Sequence, residues 1–202
     1  MKTSAQQVIG LTGSIGMGKS TVAAMLDDLD VPVFDADATV HRLQGPGGAL
    51  VERIGAAFPG MAGPHGVDRQ RLGALVFDNS GAMKKLEEIV HPAVALEKAL
   101  FRERNADALL VVYDIPLLFE KGGETGLEAI WVVSAPADIQ RARVLLRPGM
   151  TTEKFDAIIA RQIPDKEKRR RATQIIDTGG SLAETRAQVA SLVACMLARE
   201  GG

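Results

Sequence analysis

Val8-Ile9-Gly10-Leu11-Thr12-Gly13-Ser14-Ile15-Gly16-Met17-Gly18-Lys19-Ser20-Thr21 is the stretch on which the fold turns. Its first part, Val8–Leu11, is a short apolar run ending in Thr12-Gly13, the pattern of a buried strand entering a turn. Its second part, Gly13 to Ser20, matches G-x-x-x-x-G-K-[ST], and each residue type answers a chemical need. Glycines let the backbone turn its N–H groups around phosphates, where side chains would stand in the way. Lys19 supplies a positive charge to the β- and γ-phosphates, and the Ser20 hydroxyl is a ligand for Mg²⁺. The helix that follows, with Val22, Met25, Leu26 and Leu29 at helical spacing, adds the positive end of its dipole. The expected contacts to ATP are Gly13, Ser14, Ile15, Gly16, Met17, Gly18, Lys19, Ser20 and Thr21.

Outward from this loop, Val31–Phe34, Leu109–Tyr113, Ile130–Val133 and Ile175–Ile176 are further short apolar runs. Helical patterns lie between them at Ile139–Leu146, Thr152–Gln162 and Leu182–Leu197. Strands that are continuously apolar and alternate with helices predict an α/β fold, a parallel sheet covered on both faces. Gly45–Gly66 breaks the pattern, being rich in Gly and Pro. The segment after it, to about Arg104, reads as helical, with Leu72, Leu75, Val76, Leu86, Ile89 and Val90 as core. With no strand in it, residues 45–105 are expected to form a helical insertion that binds substrate, set into a core of residues 8–44 and 106–202.

The 202 residues, 46% hydrophobic and 24% charged, suffice for a core domain with such an elaboration. A net charge of −1 leaves no global basic field to attract nucleic acid or an anionic membrane. Cys195 stands alone, which excludes an intrachain disulfide framework or a cysteine metal cluster. The N-terminus shows neither a signal pattern nor a long apolar run, and Met1–Gln7 reads as polar and frayed. The expectation is a cytoplasmic protein without nucleic-acid or membrane partners, a monomer or weak homo-oligomer.

A guanine-reading Asn-Lys-x-Asp element is missing: of the two asparagines, Asn79 and Asn105, neither precedes Lys. That argues against a regulatory GTPase and for ATP. An ATP-driven motor subunit would need an acid closing a long apolar strand. Asp114 after Leu109–Tyr113 keeps that alternative open, against the small size of the chain. Asp35 and Asp37 follow the second strand at i, i+2, so an extended backbone would set both on one face. At the carboxyl end of a strand beside the phosphate loop, such a carboxylate can orient an acceptor hydroxyl and take its proton, or hold Mg²⁺ through water. Equally, the pair can be solvated, with Asp37 capping the next helix.

Ile9–Thr21 followed by Asp35-Ala36-Asp37 resembles the dephospho-coenzyme A kinase family. So do Asp68-Arg69-Gln70-Arg71-Leu72-Gly73 with Val76-Phe77, then His91-Pro92, Pro116-Leu117-Leu118-Phe119-Glu120, Arg161-Gln162 and Lys168. The likeness runs from about Val8 to Val193. It implies a P-loop kinase core with a helical coenzyme A-binding insertion and a short lid at about residues 141–155. The implied activity is ATP- and Mg²⁺-dependent phosphorylation of the 3′-hydroxyl of dephospho-coenzyme A. On this likeness Asp37, Lys19 and Arg147 are catalytic, and Asp35, Asp37, His91, Leu117, Glu120 and Arg161 bind the substrate.

Arg141, Arg143 and Arg147 precede the break at Pro148-Gly149-Met150. The first two read as a solvated helix face, whereas Arg147 matches the family's lid arginine, which can neutralise charge in the transition state. Pro148 stands where the family continues with Asp, a departure that bears on lid geometry. Arg171-Ala172-Thr173 and Thr178 also depart, the latter from the family's Asn. His91-Pro92 reads as a helix start or a coenzyme contact. Glu120 faces the acceptor or caps the next segment. The basic run Lys166–Arg171 reads as a solvated face, with phosphate or nucleic-acid contact the sharper alternative. A nucleoside or nucleoside-monophosphate kinase is the alternative enzyme, and a non-catalytic ATP-binding interaction protein the alternative class.

Overall fold

The computed structural model describes residues 6–198. From the N-terminus the elements are β1 (Gln7–Thr12), α1 (Lys19–Asp27), β2 (Val33–Asp35), α2 (Ala36–Gln44), α3 (Val51–Ala57), β3 (Ala62–Gly63) and β4 (Gly66–Val67). There follow α4 (Arg69–Phe77), α5 (Ser80–Arg104), β5 (Leu110–Asp114), β6 (Ala129–Ser134), α6 (Ala137–Leu145), α7 (Thr152–Ile159), α8 (Asp165–Arg171), β7 (Gln174–Asp177) and α9 (Leu182–Ala198). They divide into two compact units: Asp35–Arg104, and the described residues on either side of that segment.

The flanking residues build a five-stranded sheet in the order β2-β5-β1-β6-β7. Strand β1 pairs in parallel with β5 on one side and β6 on the other, and β6 pairs in parallel with β7. All six residues of β1 are buried, as a central strand covered on both faces requires. Ile9, Leu11, Val112, Trp131, Val133 and Ile176 of the sheet pack with Val22, Met25 and Leu26 of α1 and Val189, Val193 and Met196 of α9. The strands read from sequence are present, each shifted by at most two residues at an end. The fraying expected through Gln7 does not reach that residue: Gln7 N–H donates to the Leu109 carbonyl at 2.8 Å and opens β1. Residues 1–5 of that expectation lie outside the described residues. Because the chain places β2 and β5 on one side of β1 and then β6 and β7 on the other, the carboxyl end of β1 is the switch point where α/β sheets open a crevice for ligands.

The Asp35–Arg104 unit gathers around Leu43, Leu50, Ile54, Phe58, Val67, Leu72 and Val76, with Leu86, Ile89 and Val90 packed against them. Leu75, expected in this core, is 40% exposed, because Leu72 and Val76 already take the inward face of α4. The stretch expected to hold no strand contains the antiparallel pair β3–β4, with Ala62 opposite Val67; only two residues per strand left the sequence without a detectable period. Helix α2, read with the core, groups with this unit, where Arg42 pairs with Glu97 of α5. His91-Pro92 does not start a helix: α5 runs through it. Lacking an N–H, Pro92 leaves the Glu88 carbonyl without its helical donor, a local weak point in α5.

Candidate active site

The loop between β1 and α1 is shaped by what packs behind it. A Cβ on Gly13 would lie 2.7 Å from the Val133 carbonyl oxygen of β6. Gly16 has φ +78°, and a Cβ there would lie 2.4 Å from Val144 of α6. The space that glycine leaves at these two positions is therefore filled by the protein's own backbone and side chains as well as left for phosphates. Met17 is buried, and its sulfur accepts the Ala135 N–H at 3.1 Å. Met17 N–H closes the turn onto the Ser14 carbonyl at 3.2 Å. Among the described residues no protein acceptor takes the N–H groups of Gly16, Gly18, Lys19 or Ser20. Four uncommitted donors at the start of a helix make an anion cradle.

Lys19 forms an ion pair with Asp114, the buried last residue of β5. In the sequence Asp114 marks only the motor-subunit alternative. Its position beside Leu11 in the β1–β5 register is what brings it to the loop. No shorter-range sequence pattern reports that register.

A cavity of about 290 Å³ opens beside the loop, lined by Gly16, Gly18, Ser20, Arg143, Arg147 and Thr178 among others. Arg143 is no solvated face residue: it donates to the Thr178 carbonyl at 2.6 Å and to Thr178 Oγ1 at 3.1 Å. Thr178 Oγ1 in turn lies 2.7 Å from the Met17 carbonyl, tying the end of β7 to the loop. Arg141, also read as solvated, bridges α6 to α7 through Asp156 at 3.2 Å and Thr152, and lies over the Phe155 ring. Arg141 stays on the solvated face, its side chain 43% exposed, whereas Arg143 is drawn from it by a partner 35 residues along the chain. Exposed Arg147 opens the turn closed by Met150 N–H onto its carbonyl at 3.1 Å. Pro148 occupies the second position of this turn and Gly149, at φ +73°, the third, the residue types of a type II turn. Thr151 then caps α7 by accepting from Lys154 N–H.

In the other unit Asp35 ends β2 and caps α2, its Oδ1 accepting the Ala38 N–H at 2.8 Å. Asp37 is therefore not the cap. Nor do the two carboxylates share the face of an extended strand, because the helix starts at Ala36. Asp37 is exposed in the first turn of α2 and has no hydrogen bond or ion pair among the described residues.

Glu120 is engaged inside its own unit. Its Oε1 lies 2.8 Å from Nζ of Lys168, a side chain with no exposure, and accepts the Ile163 N–H at 3.0 Å. Glu120 Oε2 is buried without a hydrogen-bond partner among the described residues. Burial alone would raise the Glu120 carboxyl, but the pairing with Lys168 and the Ile163 N–H outweigh it and hold the group below its ordinary value. Elsewhere in the basic run Arg169 donates to Ser134 Oγ at 3.4 Å, Arg171 pairs with Glu124 and lies over the Phe119 ring, and Arg170 keeps a solvated pair with Glu167. Leu117, 37% exposed, and Arg161 lie on the surface of the sheet unit, and His91 on the surface of the helical one. No group of three or more His, Cys, Asp or Glu side chains among the described residues could hold a metal. No helix among them is long and apolar enough to cross a membrane.

The dephospho-CoA kinase family model matches residues 7–184. A dephospho-CoA kinase of Novosphingobium aromaticivorans is 62% identical over 186 residues, 92% of each chain. One of Mesorhizobium japonicum is 52% identical over 189 residues, 92% of this chain and 94% of its own. Among solved structures, a Thermus thermophilus protein matches with a TM-score of 0.81 at 38% identity, over 94% of this chain and 97% of that one. The dephospho-CoA kinase of Campylobacter jejuni shares the fold, with a TM-score of 0.63 at 23% identity over 95% of this chain and 97% of its own.

Proposed function

Because the chain belongs to the dephospho-CoA kinase family, we propose that it transfers the γ-phosphoryl group of ATP to the 3′-hydroxyl of dephospho-coenzyme A, the last step of coenzyme A biosynthesis. The observation that carries this reading is the loop after β1, with four N–H groups uncommitted and two arginines on the adjoining cavity. In the reaction the bond between the γ-phosphorus and the β,γ-bridging oxygen breaks, and a bond from the 3′-oxygen to that phosphorus forms. The loop donors and Lys19 hold the phosphates in line, and Arg143 and Arg147 balance the charge that develops on them. Asp37 orients the acceptor hydroxyl and receives its proton, while Asp35 fixes the helix that carries it. His91, Leu117 and Arg161 are assigned to the acceptor's binding surface. Glu120 holds the Pro116–Glu120 segment, Leu117 within it, to Lys168.

Mg²⁺ fits the donors present. Ser20 supplies an exposed hydroxyl, and the absence of a carboxylate cluster among the described residues suits an ion that keeps phosphate oxygens and water as most of its ligands. When bound, it offsets charge on the β- and γ-phosphates.

Incubated with Mg-ATP, the protein is expected to convert dephospho-coenzyme A to coenzyme A with equal release of ADP, resolved by liquid chromatography and mass spectrometry. Faster phosphorylation of adenosine, another nucleoside or a nucleoside monophosphate would overturn the assignment of the acceptor. On the nucleotide side, Arg143→Ala is expected to weaken ATP binding about tenfold, the loss of one charged donor with its Thr178 anchor. Equilibrium titration of ATP without acceptor measures this, and unchanged affinity would remove Arg143 from the site.

A further inference from the structure

Two glutamines distant in sequence grip the same loop residue. Gln162, just beyond α7, accepts the Ile15 N–H through Oε1 at 3.1 Å. Gln140 of α6, a polar residue only 6% exposed, donates through Nε2 to the Ile15 carbonyl at 2.7 Å. These bonds fix the peptide planes before and after Ile15, and there are no cis peptides among the described residues. In a trans peptide the C=O and the N–H point in opposite directions. With the Ile15 carbonyl drawn to Gln140, the N–H of the same peptide, that of Gly16, is turned away from α6, and Gly16 lines the cavity beside the loop. With the Ile15 N–H drawn to Gln162, the Ser14 carbonyl is turned the other way, where it takes the Met17 N–H.

We infer that Gln140 and Gln162 are positioning residues that preset the phosphate loop, acting through Ile15 so that the Gly16 N–H faces a bound polyphosphate before it arrives. This rests on the reading of the loop as the ATP site. The two glutamines come from α6 and from the segment after α7, the elements on either side of the Arg147–Met150 turn. The loop's shape is thereby tied to α6, which carries Arg143, and to the segment beyond the turn that Arg147 opens. Gln162 is itself held in place, because the next residue, Ile163, donates its N–H to Glu120. A preset donor needs no reorganisation when charge appears, which is where a loop of this kind gains over flexible donors.

The test is nucleotide binding without acceptor, so that it is independent of which hydroxyl the enzyme phosphorylates. Gln140→Met and Gln162→Met remove the amide groups at similar volume. Each is expected to weaken ADP about tenfold, while AMP, without a β-phosphate, changes less than about twofold. The double Met variant should lose less than the product of the single losses, because both act through one residue. Equal losses for ADP and AMP, or none, would overturn the proposal, and so would failure of the wild type to bind ADP. Should the variants not fold, amide exchange in the wild type decides it. The Ile15 N–H should be protected without nucleotide and the Gly16 N–H only with ADP; the reverse order refutes the proposal.

Discussion

Replacing Asp37 by Asn is expected to lower kcat by about 10²- to 10⁴-fold, the range for loss of a positioned general base, with ATP affinity held within about twofold. The structure separates two carboxylates that spacing alone leaves equivalent. Asp35 has a task of its own, accepting the Ala38 N–H as the cap of α2. Asp37 has no partner among the described residues, so its oxygens are available to a hydroxyl proton. Asn is as good a cap as Asp, so Asp35→Asn should leave the thermal midpoint within about a degree and reduce kcat far less. Steady-state turnover at saturating dephospho-coenzyme A, beside calorimetric ATP titration, distinguishes the two. Full turnover in Asp37→Asn, with loss in Asp35→Asn, would exchange their roles.

The largest effect on stability is expected at the Glu120–Lys168 pair. Lys168 has no exposed side-chain surface, so Glu120→Gln leaves an ammonium buried without its counter-charge. Breaking a buried pair from one side costs about 3–5 kcal/mol. In a domain of this size each kcal/mol moves Tm by about 2–4 °C, so the midpoint should fall by roughly 6–20 °C. Glu120→Leu combined with Lys168→Met removes both charges and should regain much of that loss. The Glu120 carboxyl is held below its ordinary value in the fold. Its stabilising contribution is therefore complete above about pH 4.3, the ordinary glutamate value, and disappears as pH falls through the lowered one. Urea unfolding of wild type and Glu120→Gln should show a constant difference from pH 8 to about pH 5 and a shrinking one below about pH 4. A difference that grows towards acid would contradict the pairing.

The parts legible in the sequence are those written in local pattern. The run Val8–Leu11, the loop glycines and the 3.6-residue period of α1 and α9 each carry their meaning within one element. The partners that complete the site are not local. Asp114 reaches Lys19 because β5 lies beside β1 in a register that places Leu11 opposite Asp114. Arg143 reads as a surface residue until β7 delivers Thr178 to it. Gln140 and Gln162 lie on either side of a turn, and neither belongs to a motif that names a loop residue as its target. The hairpin at Ala62–Val67 is not legible because two residues per strand show no alternation. Pro92 departs from its local preference for a related reason: tertiary packing keeps α5 intact through a residue that tends to break helices.

The Lys19–Asp114 contact has a meaning for which anions can occupy the loop. Without nucleotide, the loop's strongest positive charge already has an anion built into the chain, so an incoming phosphate must displace a tethered rival at high effective concentration. Such a rival lowers the apparent affinity of every anion by one common factor. Orthophosphate or sulfate, with few other contacts, falls below useful occupancy, whereas a triphosphate that also engages the loop amides and two arginines does not. On this reading Asp114 sets a threshold that a ligand with several contacts passes and a small anion with few contacts does not.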